Sequence, residues 1–145
     1  MAGPFSVVPL DLDTDRSSFE CGVEPLNRYF RTQVSQDIKR RVTACFTALD
    51  TTGRVAGYYT LASASILLTD LAENLAKKLP RYPNVPAVRM GRLAVDQNFK
   101  GKGLGAALLA DALRRAMTTE IAAYAFVVDA KDESAAEFYA HHGFL

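Results

Sequence analysis

Residues 98–113, from Asn98 to Leu113, read NFKGKGLGAALLADAL. Gly101, Gly103 and Gly105 alternate with Lys100, Lys102 and Leu104, and a helical pattern follows at once. Ordering a glycine loses more backbone entropy than ordering any other residue, so three of them at a helix start need a reason. They lie between a strand ending near Val95 and a helix beginning near Leu104. There the first free N–H groups point outwards and the helix dipole is positive, and glycines let a phosphate come close to the backbone. Lys100 and Lys102 add positive charge. A phosphate-bearing ligand is therefore favoured. The Walker pattern requires Gly-Lys-Ser/Thr after four spacer residues, which is missing here. The dinucleotide fingerprint also fails, because reading from Gly103 puts Leu108 at its third glycine.

Outward from this stretch, the chain alternates strand and helix patterns. Residues 5–9, FSVVP, predict a first strand ended by Pro9. Leu26, Tyr29, Phe30, Val34 and Ile38 have helical spacing, and Pro25 suits the first turn of that helix. Residues 42–67 predict a long hairpin about a turn at Gly53. A short helix follows over 69–79, capped by Thr69 or Asp70 and ended by Pro80. AVRMGRLAV, 87–95, reads as a strand, and the glycine-initiated helix runs to about Met117. IAAYAFVVDA, 121–130, is an apolar strand expected to be covered on both faces, and a last helix stops at Gly143. The second half is a strand–helix–strand–helix unit typical of a parallel crossover. The fold class is α/β (α+β) around one mixed central sheet flanked by helices, with residues 1–145 forming one domain.

At 145 residues and 49% hydrophobic content, the chain can bury a proper core. No apolar run approaches the roughly 20 residues of a membrane helix, and the N-terminus lacks a basic n-region, so a cytoplasmic protein without membrane association is expected. Cys21 and Cys45 have no metal-ligand spacing and are expected to be reduced thiols, with no metal bound. The net charge is only +1, but it is unevenly distributed. Lys77, Lys78, Arg81, Arg89, Arg92, Lys100 and Lys102 face a single acid, Asp96, and Arg28, Arg31, Lys39, Arg40 and Arg41 face Asp37. If the fold joins the two segments they form a positive face; otherwise they are scattered solvated charges.

Lys100-Gly101-Lys102-Gly103-Leu104-Gly105 resembles the Q/R-x-x-G-x-G/A pyrophosphate loop of the GNAT acetyltransferases, with Lys at the first position. Ala135-Ala136-Glu137-Phe138-Tyr139-Ala140-His141-His142-Gly143-Phe144 matches that family's A-x-x-F-Y-x-x-x-G-F helix. The resemblance covers nearly the whole chain. It implies the GNAT fold, acetyl-CoA as co-substrate and N-acetyltransferase activity. It assigns backbone contacts with the pantetheine to Leu93, Ala94 and Val95, the pyrophosphate to Lys100, Gly101, Lys102, Gly103, Leu104 and Gly105, and the general acid to Tyr139. The family pattern continues past Gly-Phe with a further strand, so the expected sheet lacks its final C-terminal strand. The residues offer no convincing general base: Asp129 either contacts substrate or caps the next helix, and His141 and His142 are expected at the surface. An α-amine with a pKa near 7.7 needs no strong base.

The resemblance narrows further. Cys21-Gly22-Val23-Glu24-Pro25-Leu26-Asn27-Arg28-Tyr29 and Gly91-Arg92-Leu93-Ala94-Val95-Asp96 are similar to motifs of the GNAT toxins of bacterial toxin–antitoxin modules. That group acetylates the α-amine of aminoacyl-tRNA and blocks translation, and a ribbon–helix–helix antitoxin neutralises it. A homodimer is expected as well. A tRNA acceptor calls for basic residues around the site: Arg92 first, Arg89 second, then Lys39, Arg40 and Arg41. Strict alternation puts Arg89 and Arg92 on opposite faces, whereas a bulge of the kind GNAT folds carry brings both to one. The alternatives are a GNAT enzyme for small amines or protein N-termini, and a catalytically silent acyl-CoA-binding subunit.

Overall fold

The computed structural model describes residues 5–71, 73–79, 82–129 and 133–142. Five strands form one sheet in the order β1-β2-β3-β4-β5: β1 Ser6–Pro9, β2 Ala44–Leu49, β3 Val55–Leu67, β4 Asn84–Val95 and β5 Ala125–Val128. The first four pair antiparallel, and β4 pairs β5 parallel across the crossover helix α4, Leu104–Thr118. This is the mixed α/β sheet expected. The hairpin turns where the Asp50 carboxylate accepts the Thr52 and Arg54 amides and Gly53 takes φ +85°.

Helical layers cover both faces. On one, Phe19, Tyr29, Phe30 and Val34 pack on Tyr58 and Ala94; on the other, Leu104, Leu108, Leu109, Ala112 and Tyr139 pack on Tyr59 and Met90. β3 lies between them and is buried on both sides from Val55 to Thr60. Gly57 lets α4 sit close: an added Cβ would lie 2.8 Å from the Ala94 carbonyl oxygen and 2.9 Å from a Leu108 methyl. The carbonyl belongs to the neighbouring strand and cannot yield. Gly57→Ala is therefore expected to lower stability by about 1–3 kcal/mol, read as a drop in Tm by calorimetry. An unchanged Tm would mean that the sheet absorbs the clash.

Three elements depart from the sequence expectation. The first helix is three pieces: α1 Glu24–Arg28 with Pro25 in its first turn, a π-helical turn Tyr29–Gln33, and α2 Val34–Lys39. The wide turn inserts a residue where Tyr29 and Phe30 are both buried, and tertiary packing overrides the local period. The helix expected over 69–79 is a 3₁₀ turn, Leu68–Asp70, followed by α3, Glu73–Ala76, neither of which buries a residue. A helix this short with no buried stripe lacks the packing that sustains longer ones. β5 spans four residues, all half-buried, instead of a long strand covered on both faces. It ends the described sheet, and its apolar flanks Ile121 and Tyr124 are exposed in the connection from α4. A continuous apolar run does not distinguish a central strand from an edge strand with an apolar approach. The last helix, α5, spans Glu133–His141. Pro80, Arg81, Gly143, Phe144 and the expected missing final strand lie outside the described residues. Both cysteines are buried free thiols, and burial pushes the Cys45 thiol up to about 12.

Candidate acetyl-donor site

β5 pairs with β4 only from Ala87 to Met90, opposite Ala125–Val128. Beyond Met90, β4 runs on to Val95, and that edge has no strand partner among the described residues. The divergence opens a cleft of about 530 Å³. Leu93, Ala94 and Val95 form one wall, and Ala135, Phe138 and Tyr139 of α5, with His142 just past its end, the other. Phe99–Gly101 and Gly103–Ala106 close one end, with Cys21, Val23 and Leu26 beside them. Of the nine donor-site residues expected, eight line this cleft. Lys102 does not; its ammonium lies 5.7 Å from the Phe99 ring centroid.

The three glycines have different tasks. Gly101 and Gly103 take φ +81° and +75°, and nothing lies within 4 Å of where their Cβ atoms would be. Gly103 precedes α4, whose start has no side-chain cap. Its first amide N–H groups thus have no side-chain cap, an arrangement that can accept an anion. Gly105 is already helical, and its Cβ would meet the Phe138 ring at 3.4 Å. It permits the close approach of α5 instead of a phosphate. Lys100 reaches across the cleft, donating to the Cys21 carbonyl at 2.7 Å.

Two distant motifs form a single support under this end. Asp96, 1% exposed, accepts the Glu20 amide at 3.1 Å and the Asn98 amide at 2.9 Å. The Gln97 amide donates back to the Glu20 carbonyl. Asn27 accepts the Cys21 amide at 2.8 Å and donates to the Glu20 carboxylate. The Gly22 amide, then Asn27, hold that carboxyl below its usual range. Charge-assisted bonds of this kind fix the segment that faces the loop.

Tyr139 is 5% exposed. Burial, then the nearby Asp129 carboxylate, push its hydroxyl up to about 12, so it stays protonated at any working pH. Phe138 meets it edge-on at 5.5 Å. His141 and His142 are exposed as expected, yet His142 also lines the cleft. Its Nδ1 donates to the Phe138 carbonyl at 2.9 Å. Cys21, Val23, Leu26, Phe99, Ala106, Ala135, Phe138 and His142 also line the cleft, and the sequence reading gives none of them a site role. The first three fall in the Cys21–Tyr29 motif, and Ala135, Phe138 and His142 in the Ala135–Phe144 motif, the signals by which they could be found.

β4 carries the bulge: Thr60 pairs Arg92 and Leu61 pairs Met90, so Gly91 is the extra residue. Arg92 and Arg89, which pairs Ala62, thereby share the face that carries Tyr58 and Ala94. Half-buried Arg92 lies over the Tyr29 ring, with its Cζ 3.5 Å from the centroid. Exposed Arg89 lines a second hollow with Ser65, Leu67, Asp70 and Asp129. Lys39, Arg40 and Arg41 are exposed at the end of α2. There Arg41 takes φ +60° in a Schellman closure, the Val42 amide donating to the Asp37 carbonyl and the Arg41 amide to the Ile38 carbonyl. Tyr29 donates to Asp37 at 2.7 Å, so the contacts Arg92–Tyr29–Asp37 connect the two basic segments. Among the described residues no group of His, Cys, Asp and Glu could hold a metal.

A sheet that parts beside a glycine-initiated helix, with a buried tyrosine across the gap, defines an acyl-CoA-dependent acyltransferase. The chain belongs to the Acetyltransferase (GNAT) family, whose model matches residues 12–144. It is 35% identical over 133 residues to a tRNA-acetylating toxin of Mycobacterium tuberculosis (strain ATCC 25618 / H37Rv), covering 90% of this chain and 78% of that protein. It is 30% identical to the probable toxin TacT of Sinorhizobium fredii (strain NBRC 101917 / NGR234) over 75% of this chain and 61% of that one. Among solved structures, a Tyr-to-Phe mutant of KacT superposes with a TM-score of 0.90 at 27% identity, covering 99% of this chain and 88% of that one. AtaT complexed with acetyl-methionyl-tRNAfMet superposes at 0.87 and 30% identity, covering 97% and 86%.

Proposed function

We propose that residues 1–145 form a single catalytic domain that transfers the acetyl group of acetyl-CoA to the α-amino group of aminoacyl-tRNA, and so blocks translation. The observation that carries this reading is the bulged strand β4. Its Leu93–Val95 edge opens onto the donor cleft, while Arg92 and Arg89 stand together on the face that carries Tyr58 and Ala94. The likeness to AtaT in complex with an acetylated aminoacyl-tRNA supports the acceptor.

The donor site fits the co-substrate. The uncapped start of α4 suits the pyrophosphate, and the unpaired β4 edge suits an extended amide-bearing arm. Acetyl-CoA supplies the activated acyl carbon and a thiolate leaving group. Backbone groups of Leu93–Val95 orient the thioester, and Tyr139 donates its phenolic proton as the C–S bond breaks. The acceptor amine binds neutral and loses its proton to water, which also restores Tyr139. Arg92, Arg89, Lys39, Arg40 and Arg41 hold the RNA backbone, making binding salt-dependent.

The protein acts in the cytoplasm as a homodimer, and a ribbon–helix–helix antitoxin neutralises it. Structures of AtaT with the C-terminus of the antitoxin AtaR and of KacTA with DNA support an antitoxin partner. No described helix is long and apolar enough to cross a membrane. Incubation with labelled acetyl-CoA and total charged tRNA should place label on aminoacyl-tRNA and none on deacylated tRNA. Label confined to a small amine or a protein N-terminus would sink the reading.

A further inference from the structure

Arg92 is held in an unusual way. Its guanidinium carbon lies 3.5 Å from the Tyr29 ring centroid, whereas the other four cation–ring contacts described span 4.2 to 5.9 Å. The short distance is that of a flat stack. Arg31, Arg54, Arg114 and Arg115 each have a carboxylate partner. Among the described residues no carboxylate pairs with Arg92. Stacking uses the face of the guanidinium and leaves its N–H edges available, which is the arrangement a phosphate fork requires.

Tyr29 is itself fixed. It is 4% exposed, and its hydroxyl donates to Asp37 at 2.7 Å. Residues eight apart are turned about 80° from each other in a regular α-helix, whereas residues seven apart are turned only about 20°. The residue inserted by the π-helical turn Tyr29–Gln33 restores that two-turn spacing and brings Asp37 under Tyr29. The irregular turn thus serves a tyrosine whose ring meets the basic strand.

We propose that Tyr29 is a positioning residue for the acceptor: its ring holds the Arg92 guanidinium edge-out, ready to take a phosphate of the RNA acceptor strand. This rests on the aminoacyl-tRNA reading above. Asp37 and the π-helical turn act through Tyr29, and Tyr29 acts through Arg92.

The test is a double-mutant cycle on the full chain, with charged tRNA as acceptor across a range of salt. Tyr29→Leu and Arg92→Gln should each raise KM for charged tRNA about tenfold and reduce the salt slope by about one. The double variant should be no worse than Arg92→Gln alone. Tyr29→Phe keeps the ring and should stay within about threefold of wild type. Acetyl-CoA affinity should be unchanged in Tyr29→Leu. Additive losses in the double variant, an unchanged KM in Tyr29→Leu, or an equal loss of acetyl-CoA affinity would overturn the inference. If Tyr29→Leu does not fold, ¹⁵N relaxation of the Arg92 Nε in wild type decides. A rigid side chain is expected, and a freely rotating one overturns it. Wild type that acetylates no charged tRNA brings down the acceptor reading and this inference together. Wild type that acts on charged tRNA while Tyr29→Leu matches it brings down the inference alone.

Discussion

Tyr139→Phe lowers turnover at least tenfold and leaves acetyl-CoA binding intact, as single-turnover acetyl transfer and equilibrium binding should show. General-acid contributions are typically about 10²–10⁴-fold, so tenfold is a conservative floor. The substitution removes one oxygen from a buried side chain that lines the donor cleft and leaves the ring packed against Phe138. Burial first, and the Asp129 carboxylate second, favour the neutral phenol and raise its pKa to about 12. The group is thus loaded with its proton throughout the working range and loses it only as pH rises towards 12. The kcat profile should therefore show no falling limb from this group below about pH 11. Near-normal turnover in Tyr139→Phe would make Tyr139 a packing residue like its neighbour Phe138.

Arg92→Glu abolishes acetylation of charged tRNA, with a loss in kcat/KM of at least about 100-fold, and spares acetyl-CoA binding. Arg92 is on the Tyr29 face of β4, away from the α4–α5 face that holds Tyr139, and does not itself line the donor cleft. Reversing the charge replaces a group that donates hydrogen bonds to phosphate with a carboxylate that repels the RNA backbone. A kcat/KM for charged tRNA equal to wild type would remove Arg92 from the acceptor site. Lost acetyl-CoA binding would show that the two faces of β4 are not independent.

Much of this was legible locally. Gly53 between two β-rich runs marks the hairpin, and Pro25 marks the start of α1. The alternation of strand and helix after residue 84 marks the parallel crossover. Gly101 and Gly103, ahead of a strongly periodic helix, mark the proposed anion site through backbone chemistry. These features depend on φ preferences, caps and periodicity within a few residues of chain.

What remained illegible depends on contacts between distant segments. The π-helical turn exists because Tyr29 and Phe30 must both be buried, and helical periodicity does not reveal that. The extent of β5 depends on its place at the end of the described sheet, which its apolar composition hides. Gly105 read as a third phosphate glycine, but the ring of Phe138 from the next helix gives its actual reason. Asp96 looked like a lone acid in a basic segment, and only the folded chain shows it holding the Glu20 amide.

The sequence by itself determined the donor side of the proposed site: a strand, a glycine turn and a helix start whose free N–H groups suit a phosphate. On the proposed acceptor side the sequence left two placements of the arginines open, and the tertiary structure decided between them. The register shift at Gly91 sets the face on which Arg92 stands, and Tyr29 sets its orientation. A side chain's charge is written in its own residue, but its direction is fixed by the strand register and the ring that packs against it.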